Sequence, residues 1–250
     1  MSFSVAESLG FHDRLVDIAI ERVSGLDVLK VNKDGARKPD AAGQHPIEKE
    51  SFEIIGRELG ETRFSALELP IVKRVIHTSA DFEFKDTMRF SPGAIEAGIG
   101  VIRAGRNIIT DVKMVEAGIT RASSFGNKLF CFSSDRDVAL TAEKEKLTKT
   151  AASMKKAASL MEGGIVAVGN APTALAEVLR LIKSNAARPA LVVGIPVGFV
   201  GAVEAKQELL KSGVPYITNT GRKGGSTVAA AIVNALFILA IDLCKTAGAV

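Results

Sequence analysis

One histidine, His77, stands where a side chain could exchange protons with a bound molecule. It closes the helical pattern of residues 70–77 and precedes a short polar turn. Imidazole gains and loses a proton near neutral pH, so it can serve as a general acid or base. Arg74 lies three residues earlier and would share the same helix face, which suits a negatively charged substrate. Alternatively, His77 could merely complement the helix dipole at a C-terminus.

Three glycine-containing turns, each following an apolar run typical of a strand, are the second candidate for chemistry. They cover residues 169–173, 194–201 and 219–227, and the last contains Arg222 and Lys223. Glycine lets the backbone approach a ligand closely, and the first turn of a helix has N–H groups without internal partners. Each turn alone could be an ordinary strand-to-helix connection. Three in succession predict an edge that binds carboxylates or phosphates.

These turns do not match the familiar nucleotide-binding motifs. Lys223 precedes a glycine pair, whereas a P-loop requires the order Gly-Lys-Ser/Thr. The glycines of the middle turn also depart from G-x-G-x-x-G spacing; they are Gly194, Gly198 and Gly201. The sequence therefore argues against an ATP-binding or NAD-binding protein.

The composition is that of a globular protein with a sizeable core. The chain has 250 residues, of which 47% are hydrophobic and 24% charged, and this length suits one large α/β domain or two small ones. The formal net charge is +4, but the bases are interleaved with acids and only 5% of residues are aromatic. A nucleic-acid-binding surface would show a basic stripe and aromatic platforms. The mild positive excess fits an anionic small molecule equally well.

Cysteine and histidine spacing gives no sign of a metal site or a disulfide framework. Cys131 and Cys244 each lie in an apolar stretch, which predicts buried thiols. His12, His45 and His77 are too far apart in sequence for a recognisable ligand pattern.

The sequence does not suggest export or membrane insertion. The first ten residues lack a basic segment followed by an apolar core. The most apolar run, residues 228–241, is shorter than the roughly 20 residues of a membrane span, so it predicts a buried helix or a subunit interface. A cytoplasmic location is expected.

Hydrophobic periodicity predicts an α/β fold: three α/β/α layers, flavodoxin-like or Rossmann-like, around a mainly parallel sheet of about five strands. The predicted strands are 107–110, 128–132, 164–168, 190–194 and 214–218. Helices are predicted at 46–59, 70–77, 91–104, 112–117, 138–161, 172–184, 201–212 and 226–245. Residues 1–44 read as an extension with a helix at 12–31 and a linker, and residues 45–250 as a single domain. The carboxyl ends of the strands would share one edge, where ligands bind in such folds.

Four blocks of sequence, in order, resemble the precorrin-8X methylmutase family of cobalamin biosynthesis, also called precorrin isomerases. They are RVIHTSADF at 74–82, GNAPTAL at 169–175, GIPVGFVGA at 194–202 and GRKGGS at 221–226. The resemblance extends from about residue 46 to about residue 240, so it covers most of the chain. It does not extend to residues 1–44, which are longer than the usual start of the family.

The resemblance implies an isomerase that moves a methyl group between adjacent ring carbons of precorrin-8X or cobalt-precorrin-8, giving hydrogenobyrinate or cobyrinate. It implies a tetrapyrrole substrate with many carboxylates, no external cofactor and a homodimer, without nucleic-acid or membrane partners. His77 would donate and accept the proton, and Ser51 and Arg74 would contact the substrate. The other implied or candidate substrate-binding residues are Lys149, Gly169, Asn170, Thr173, Gly198, Phe199, Gly201, Arg222, Gly224, Gly225 and Ser226.

One position departs from the family pattern. Members commonly carry Thr-Arg-Ser where this chain has Thr148-Lys149-Thr150. Lysine keeps the positive charge but lacks the two-pronged geometry with which arginine binds a carboxylate. The alternative from another functional class is a carrier that binds a corrinoid without isomerising it.

Overall fold

The computed structural model describes residues 46–247, with side chains described to residue 244. The predicted helix at 12–31, the linker after it, His12 and His45 therefore lie outside the described residues. The described helices, in chain order, are α1 (Pro46–Leu59), α2 (Glu68–Ser79), α3 (Phe84–Thr87), α4 (Ala94–Arg103), α5 (Lys113–Gly118), α6 (Arg136–Glu145), α7 (Lys149–Lys156), α8 (Pro172–Lys183), α9 (Ala202–Leu210) and α10 (Ser226–Ala247). Two short 3₁₀ helices span Ala122–Phe125 and Ala158–Met161.

Six strands form one mixed sheet in the order β1-β6-β5-β4-β2-β3. They are β1 (Met88–Phe90), β2 (Ile108–Thr110), β3 (Leu129–Phe130), β4 (Ile165–Val168), β5 (Leu191–Gly194) and β6 (Tyr216–Asn219). Five of them, β2 to β6, are the predicted strands, and they pair with one another in parallel. The mainly parallel α/β fold is therefore confirmed.

The prediction of about five strands missed β1, which pairs antiparallel with β6 at the sheet edge. This strand has three residues, and its central Arg89 interrupts any apolar run. Its extended conformation depends on partners distant in sequence, since Met88 lies opposite Asn219 and Phe90 opposite Ile217. Such an edge strand carries too little local pattern to be recognised.

The single helix predicted at 138–161 is wrong: the segment forms α6, α7 and a 3₁₀ turn. α6 ends at Glu145, and the next residue, Lys146, adopts a left-handed conformation with φ 55°. α7 then starts afresh, because the hydroxyl of Thr148 accepts a hydrogen bond from the N–H of Ala151 at 3.2 Å. This break brings Lys149 to the beginning of a helix instead of the middle of one.

Alternation along the central strand divides the core between the two faces of the sheet. Ile165 and Ala167 of β4 contact the cluster formed with α1, α2, α4, α5 and α10. Val166 and Val168 contact the cluster formed with α7, α8 and α9. Because successive strand residues point to opposite faces, a strand covered on both sides reads as a continuous apolar run.

The last helix, α10, has 22 residues, and its segment Ser226–Cys244 is long and apolar enough to span a membrane. More than half of that segment is buried, however, and Leu236 and Phe237 are completely enclosed in the core. α10 is thus a core helix, as one of the two sequence interpretations held. Of the two predicted buried thiols, Cys131 is buried, whereas Cys244 is exposed because it lies beyond the packed part of α10.

Candidate active site

His77 is positioned by the last turn of α2. Four residues of this helix, Ile71, Val72, Val75 and Ile76, are fully buried, which fixes the helix against the core. His77 itself is half-buried. The helix ends at Ala80 with φ 53°, and the N–H of Ala80 bonds to the carbonyl of Ile76 at 2.7 Å. The imidazole therefore lies on a rigid element with part of its surface open.

Helix α1 supplies the partner of this imidazole. The Oγ atom of Ser51 lies 2.8 Å from Nδ1 of His77. A serine hydroxyl can donate to a neutral ring nitrogen or accept from a protonated one, so the same contact suits both charge states. Within residues 46–247, Nε2 of His77 has no hydrogen-bond partner. The ring thus has one nitrogen anchored and the other available.

Phe52, next to Ser51 in sequence, packs between His77 and Arg74. Its ring lies 4.9 Å from the His77 ring, centroid to centroid, at an interplanar angle of 17°. The guanidinium carbon of Arg74 lies 4.6 Å from the centroid of the same phenyl ring. The predicted trio of Ser51, Arg74 and His77 is therefore brought together, with Phe52 as an element that sequence reasoning missed.

The charge of Arg74 is already partnered in this cluster. Its Nη1 lies 2.5 Å from Oε1 of Glu48, and the two side chains are 18% and 30% exposed. The sequence predicted a cation available to an anionic substrate. The structure shows instead that an incoming carboxylate would have to share Arg74 with Glu48 or displace it.

The strand-end loops pack directly against one another at the carboxyl edge of the sheet, as predicted. The N–H of Gly198 donates to the carbonyl of Arg222 at 3.1 Å, and the N–H of Gly225 donates to Ile195 at 3.0 Å. The guanidinium carbon of Arg222 lies 5.5 Å from the centroid of the Phe199 ring, whose side chain is 86% exposed. This edge therefore presents an exposed aromatic ring and an exposed cation side by side.

One close approach at this edge requires glycine. A Cβ on Gly224 would lie 2.2 Å from the carbonyl oxygen of Ile195 and 2.9 Å from that of Pro196. Its φ of 153° is also one that other residues seldom adopt. Gly224 thus allows the loops after β5 and β6 to touch, and Gly225 and Ser226, both buried, follow it into α10.

The expectation of free backbone donors at Gly169 and Asn170 is wrong. The carboxylate of Asp111 accepts their N–H groups at 3.1 Å and 2.8 Å, and that of Ala171 at 2.8 Å. Asp111 is fully buried at the end of β2, and burial raises its pKa while the three N–H groups oppose that rise. The chain's own carboxylate fills the anion site at the start of α8.

The N–H groups of the loop after β4 point to the buried Asp111, but two of its side chains are exposed to solvent. Asn170 and Thr173 are exposed, and Oγ1 of Thr173 lies 2.7 Å from Oγ1 of Thr148. Lys149, also exposed, follows Thr148 as the first residue of α7. The structure therefore brings Lys149 next to Thr173. Gly201 lies beside the same loop, since a Cβ built on it would be 3.6 Å from the Cβ of Pro172.

Lys223 connects the glycine-rich edge to the turn after His77. Its Nζ lies 2.5 Å from Oδ2 of Asp81 and 2.9 Å from Oε2 of Glu83. The hydrogen bond from Lys223 lowers the pKa of Asp81, and the carboxylates raise the pKa of Lys223. Lys223 is thus paired with two carboxylates, whereas the guanidinium of the neighbouring Arg222 lies over the ring of Phe199.

Sequence reasoning missed two buried charges behind the loops, Asp111 and Lys206. Asp111 could have been noticed, since an acid directly after an apolar strand falls at the ligand-binding edge. Lys206 gave no such signal, because it sits in an ordinary charged helical stretch. Among the described residues, 46–247, no group of three or more His, Cys, Asp or Glu side chains could hold a metal ion.

Comparisons with known proteins agree with this arrangement. Residues 46–239 match the family described as Precorrin-8X methylmutase. The cobalt-precorrin-8 methylmutase of Priestia megaterium is 50% identical over 205 residues, or 81% of this chain and 91% of that protein. The precorrin-8X methylmutase of Pseudomonas aeruginosa is 40% identical over 193 residues, or 76% and 93%. The crystal structure of the Thermus thermophilus precorrin-8X methylmutase superposes with a TM-score of 0.73 at 45% identity, covering 78% of this chain and 96% of that one.

The match is continuous through both parts of the site. It includes Ser51 and His77 near its beginning and the loops after β4, β5 and β6 toward its end. The six-stranded, mostly parallel sheet with helices on both faces agrees with the Thermus thermophilus structure. We conclude that the chain belongs to the precorrin-8X methylmutase family, the isomerases of cobalamin biosynthesis that move a methyl group within their substrate.

Proposed function

We propose that this protein isomerises a precorrin-8 macrocycle by methyl migration, with His77 as proton donor and acceptor. The observation that carries the proposal is the 2.8 Å contact between Ser51 Oγ and His77 Nδ1, with Nε2 unpartnered among residues 46–247. A proton given by Nε2 would activate the macrocycle. One carbon–carbon bond to the methyl group breaks as another forms, and the proton returns to Nε2. Atoms and electrons are conserved, so the reaction requires no oxidant or reductant.

Ser51 supports this cycle from the far side of the ring. Its hydroxyl oxygen accepts a hydrogen bond from Nδ1–H both before and after Nε2 gives up its proton, so the ring keeps its orientation and its tautomer through the cycle. Phe52, stacked on the ring, limits its rotation. A positioned general acid and base of this kind contributes roughly 10²–10⁴-fold to a rate.

The carboxylates of the macrocycle would bind at the strand-end loops. Arg222 and Phe199 offer a cation and an apolar face, and Lys149 offers a second exposed cation near Asn170 and Thr173. Gly169 contributes only by letting this loop pack closely on α10, because its N–H is bonded to Asp111 and a Cβ there would lie 2.8 Å from the Cα of Ser226. The other contacts we propose are made by Gly198, Gly201, Gly224, Gly225 and Ser226.

We propose the cobalt-containing macrocycle as the preferred substrate. The Priestia megaterium relative, named for cobalt-precorrin-8, shares 50% identity, whereas the Pseudomonas aeruginosa and Thermus thermophilus relatives, named for precorrin-8X, share 40% and 45%. The residues at the site would contact the side chains and the ring, which the two forms share, so the metal-free form should also bind.

Further parts of the proposal concern the whole protein. We propose that residues 45–250 form a single methylmutase domain and that the protein acts as a cytoplasmic homodimer. The support is the family membership of residues 46–239. Sedimentation velocity at micromolar concentration tests the homodimer, and a monomer throughout would contradict it.

The direct test of the function is turnover. Purified protein is incubated with cobalt-precorrin-8 and, separately, with metal-free precorrin-8, while the absorption spectrum is followed. We expect the spectrum to shift to that of the corrin product, faster with the cobalt form. A stable complex with either compound, without conversion, would favour the corrinoid carrier.

A further inference from the structure

Lys206 is a buried cation that the proposed methyl migration does not use. It lies on α9 with 1% of its surface exposed. Within residues 46–247, no carboxylate is paired with it. Its Nζ donates instead to the carbonyl oxygens of Gly221 at 3.0 Å and of Lys223 at 2.6 Å. Burying an ammonium group without an acid is costly, and these two hydrogen bonds are what offset the loss of its hydration.

The two contacts determine where the loop's N–H groups point. The peptide bonds are trans, so the carbonyl and the N–H of one peptide unit point in opposite directions. With the carbonyls of Gly221 and Lys223 turned toward Lys206, the N–H groups of Arg222 and Gly224 point away from it. Neither N–H has a backbone acceptor among the described residues.

Neighbouring contacts hold the same loop in register. The side-chain amide of Asn219 donates to the carbonyl of Lys223 at 2.8 Å, sharing that oxygen with Lys206. The carbonyl of Arg222 accepts from Gly198 at 3.1 Å. The carbonyl oxygens of this loop are therefore consumed internally, one residue after another.

The loop after β4 shows the opposite arrangement. There Asp111, a buried anion, consumes the N–H groups of Gly169, Asn170 and Ala171. In the loop after β4, the buried Asp111 occupies the N–H groups that could bind a carboxylate. In the loop after β6, the buried Lys206 binds the carbonyl groups, so the N–H groups stay available.

We propose that Lys206 is a positioning residue that turns the N–H groups of Arg222 and Gly224 outward to receive a carboxylate of the substrate. The proposal rests on the proposed function, because a tetrapyrrole precursor supplies that carboxylate. Burial lowers the pKa of Lys206 to about 8, so the ammonium is still largely protonated at pH 7, where it makes charge-assisted bonds to both carbonyls.

The test compares Lys206→Met with Lys211→Met, which removes the same charge from an exposed position just after α9. The first readout is limited trypsin digestion, since Arg222 and Lys223 are exposed cleavage sites within the loop. We expect cleavage there to be roughly tenfold faster in Lys206→Met, with circular dichroism unchanged, and to be unaffected in Lys211→Met. Equal cleavage in both variants would overturn the positioning role. This readout needs no substrate, so it stands even if the proposed function fails.

The second readout is steady-state turnover of cobalt-precorrin-8. Lys206→Met should raise KM roughly tenfold and leave kcat within about twofold, because binding is affected and the chemistry at His77 is not. Lys206→Gln, which keeps donors but loses the charge, should fall between. A lower kcat with unchanged KM would contradict the proposal. If neither variant folds, the unsubstituted protein decides: rapid tryptic cleavage after Arg222 or Lys223 would show that the loop is not held.

Discussion

Ser51 and His77 are joined by a 2.8 Å hydrogen bond between two helices, α1 and α2, although 26 residues separate them in sequence. The imidazole is therefore oriented by a contact that forms only when α1 packs on α2. Ile55 and Leu59 of α1 are buried in the same core cluster as Val72 and Val75 of α2, which holds the two helices together. The orientation of the His77 ring thus depends on tertiary packing as well as on its own helix.

Replacing Ser51 with alanine should slow the reaction without abolishing it. The imidazole would lose the partner of Nδ1, so its orientation and its protonated form would both be less well supported. We expect kcat to fall roughly tenfold, with KM changed less. Ser51→Thr, which keeps the hydroxyl, is the matched variant and should retain most of kcat. Equal rates in Ser51→Ala and the unsubstituted protein would show that the hydrogen bond has no catalytic role.

Arg74 and its partner Glu48 should respond to substitution in opposite directions. Arg74→Ala removes a cation from the site and should raise KM, whereas Glu48→Gln frees the guanidinium from its 2.5 Å ion pair and should lower KM. Each change is expected to be several-fold. Substrate titrations of both variants measure this. A rise in KM for both would mean that the pair acts as a unit to support the helix packing and does not bind a carboxylate through Arg74.

The sequence was sufficient to predict the parallel core, and it identified His77 as the candidate proton donor and acceptor. Strands such as Ile165–Val168 are continuous apolar runs, and glycine follows three of them, so local pattern and spacing carry the information. The pairing of Arg74 with Glu48 could not be predicted, because nothing local distinguishes Glu48 from the other acids of α1.

The details of the loops were predicted less well, for a physical reason. Glycine content shows that backbone can approach a ligand, but not whether its N–H groups are already bonded. Asp111 uses those of Gly169 and Asn170 from 58 and 59 residues away in sequence. Charge inside a fold depends on such distant contacts, which hydrophobic periodicity does not encode.

Gly224 should be far less tolerant of alanine than Gly221. A Cβ on Gly224 would lie 2.2 Å from the carbonyl oxygen of Ile195, whereas nothing lies within 4 Å of a Cβ on Gly221. Both have positive φ, so alanine at either position has a backbone cost of at least about 1 kcal/mol, but only at Gly224 does it also clash with a carbonyl oxygen. We expect Gly224→Ala to lower the free energy of unfolding by about 3 kcal/mol, or to displace the loop and raise KM. Equal stability and equal KM in the two variants would contradict the observed contact.

Asp111→Asn tests whether the loop after β4 depends on a carboxylate. The amide would present an NH₂ group to N–H donors and leave at least one of them without an acceptor. We expect the free energy of unfolding at pH 7 to fall by about 2 kcal/mol, measured by urea denaturation. Asp86→Asn, at an exposed position, is the control and should change stability little. A stable Asp111→Asn protein would mean that the loop is held by other contacts.

The pH dependence of stability should reveal the buried lysine. The folded pKa of Lys206 is about 8, below the ordinary value of 10.5, so between these pH values the unfolded chain holds a proton that the folded chain has released. Stability therefore rises with pH in this window. From pH 7.5 to 9.5, the free energy of unfolding should increase by about 2 kcal/mol relative to Lys206→Met. A difference that stays constant with pH would contradict the lowered pKa.

The central claim, that His77 performs the proton transfer, is tested most directly by His77→Ala. The purified variant is incubated with cobalt-precorrin-8 while its absorption spectrum is recorded, and its affinity for the cobyrinate product is measured by titration. We predict a product dissociation constant within a few-fold of the unsubstituted protein, and conversion slower by at least roughly 10²-fold. Conversion at the unsubstituted rate would contradict the role of His77 in the reaction.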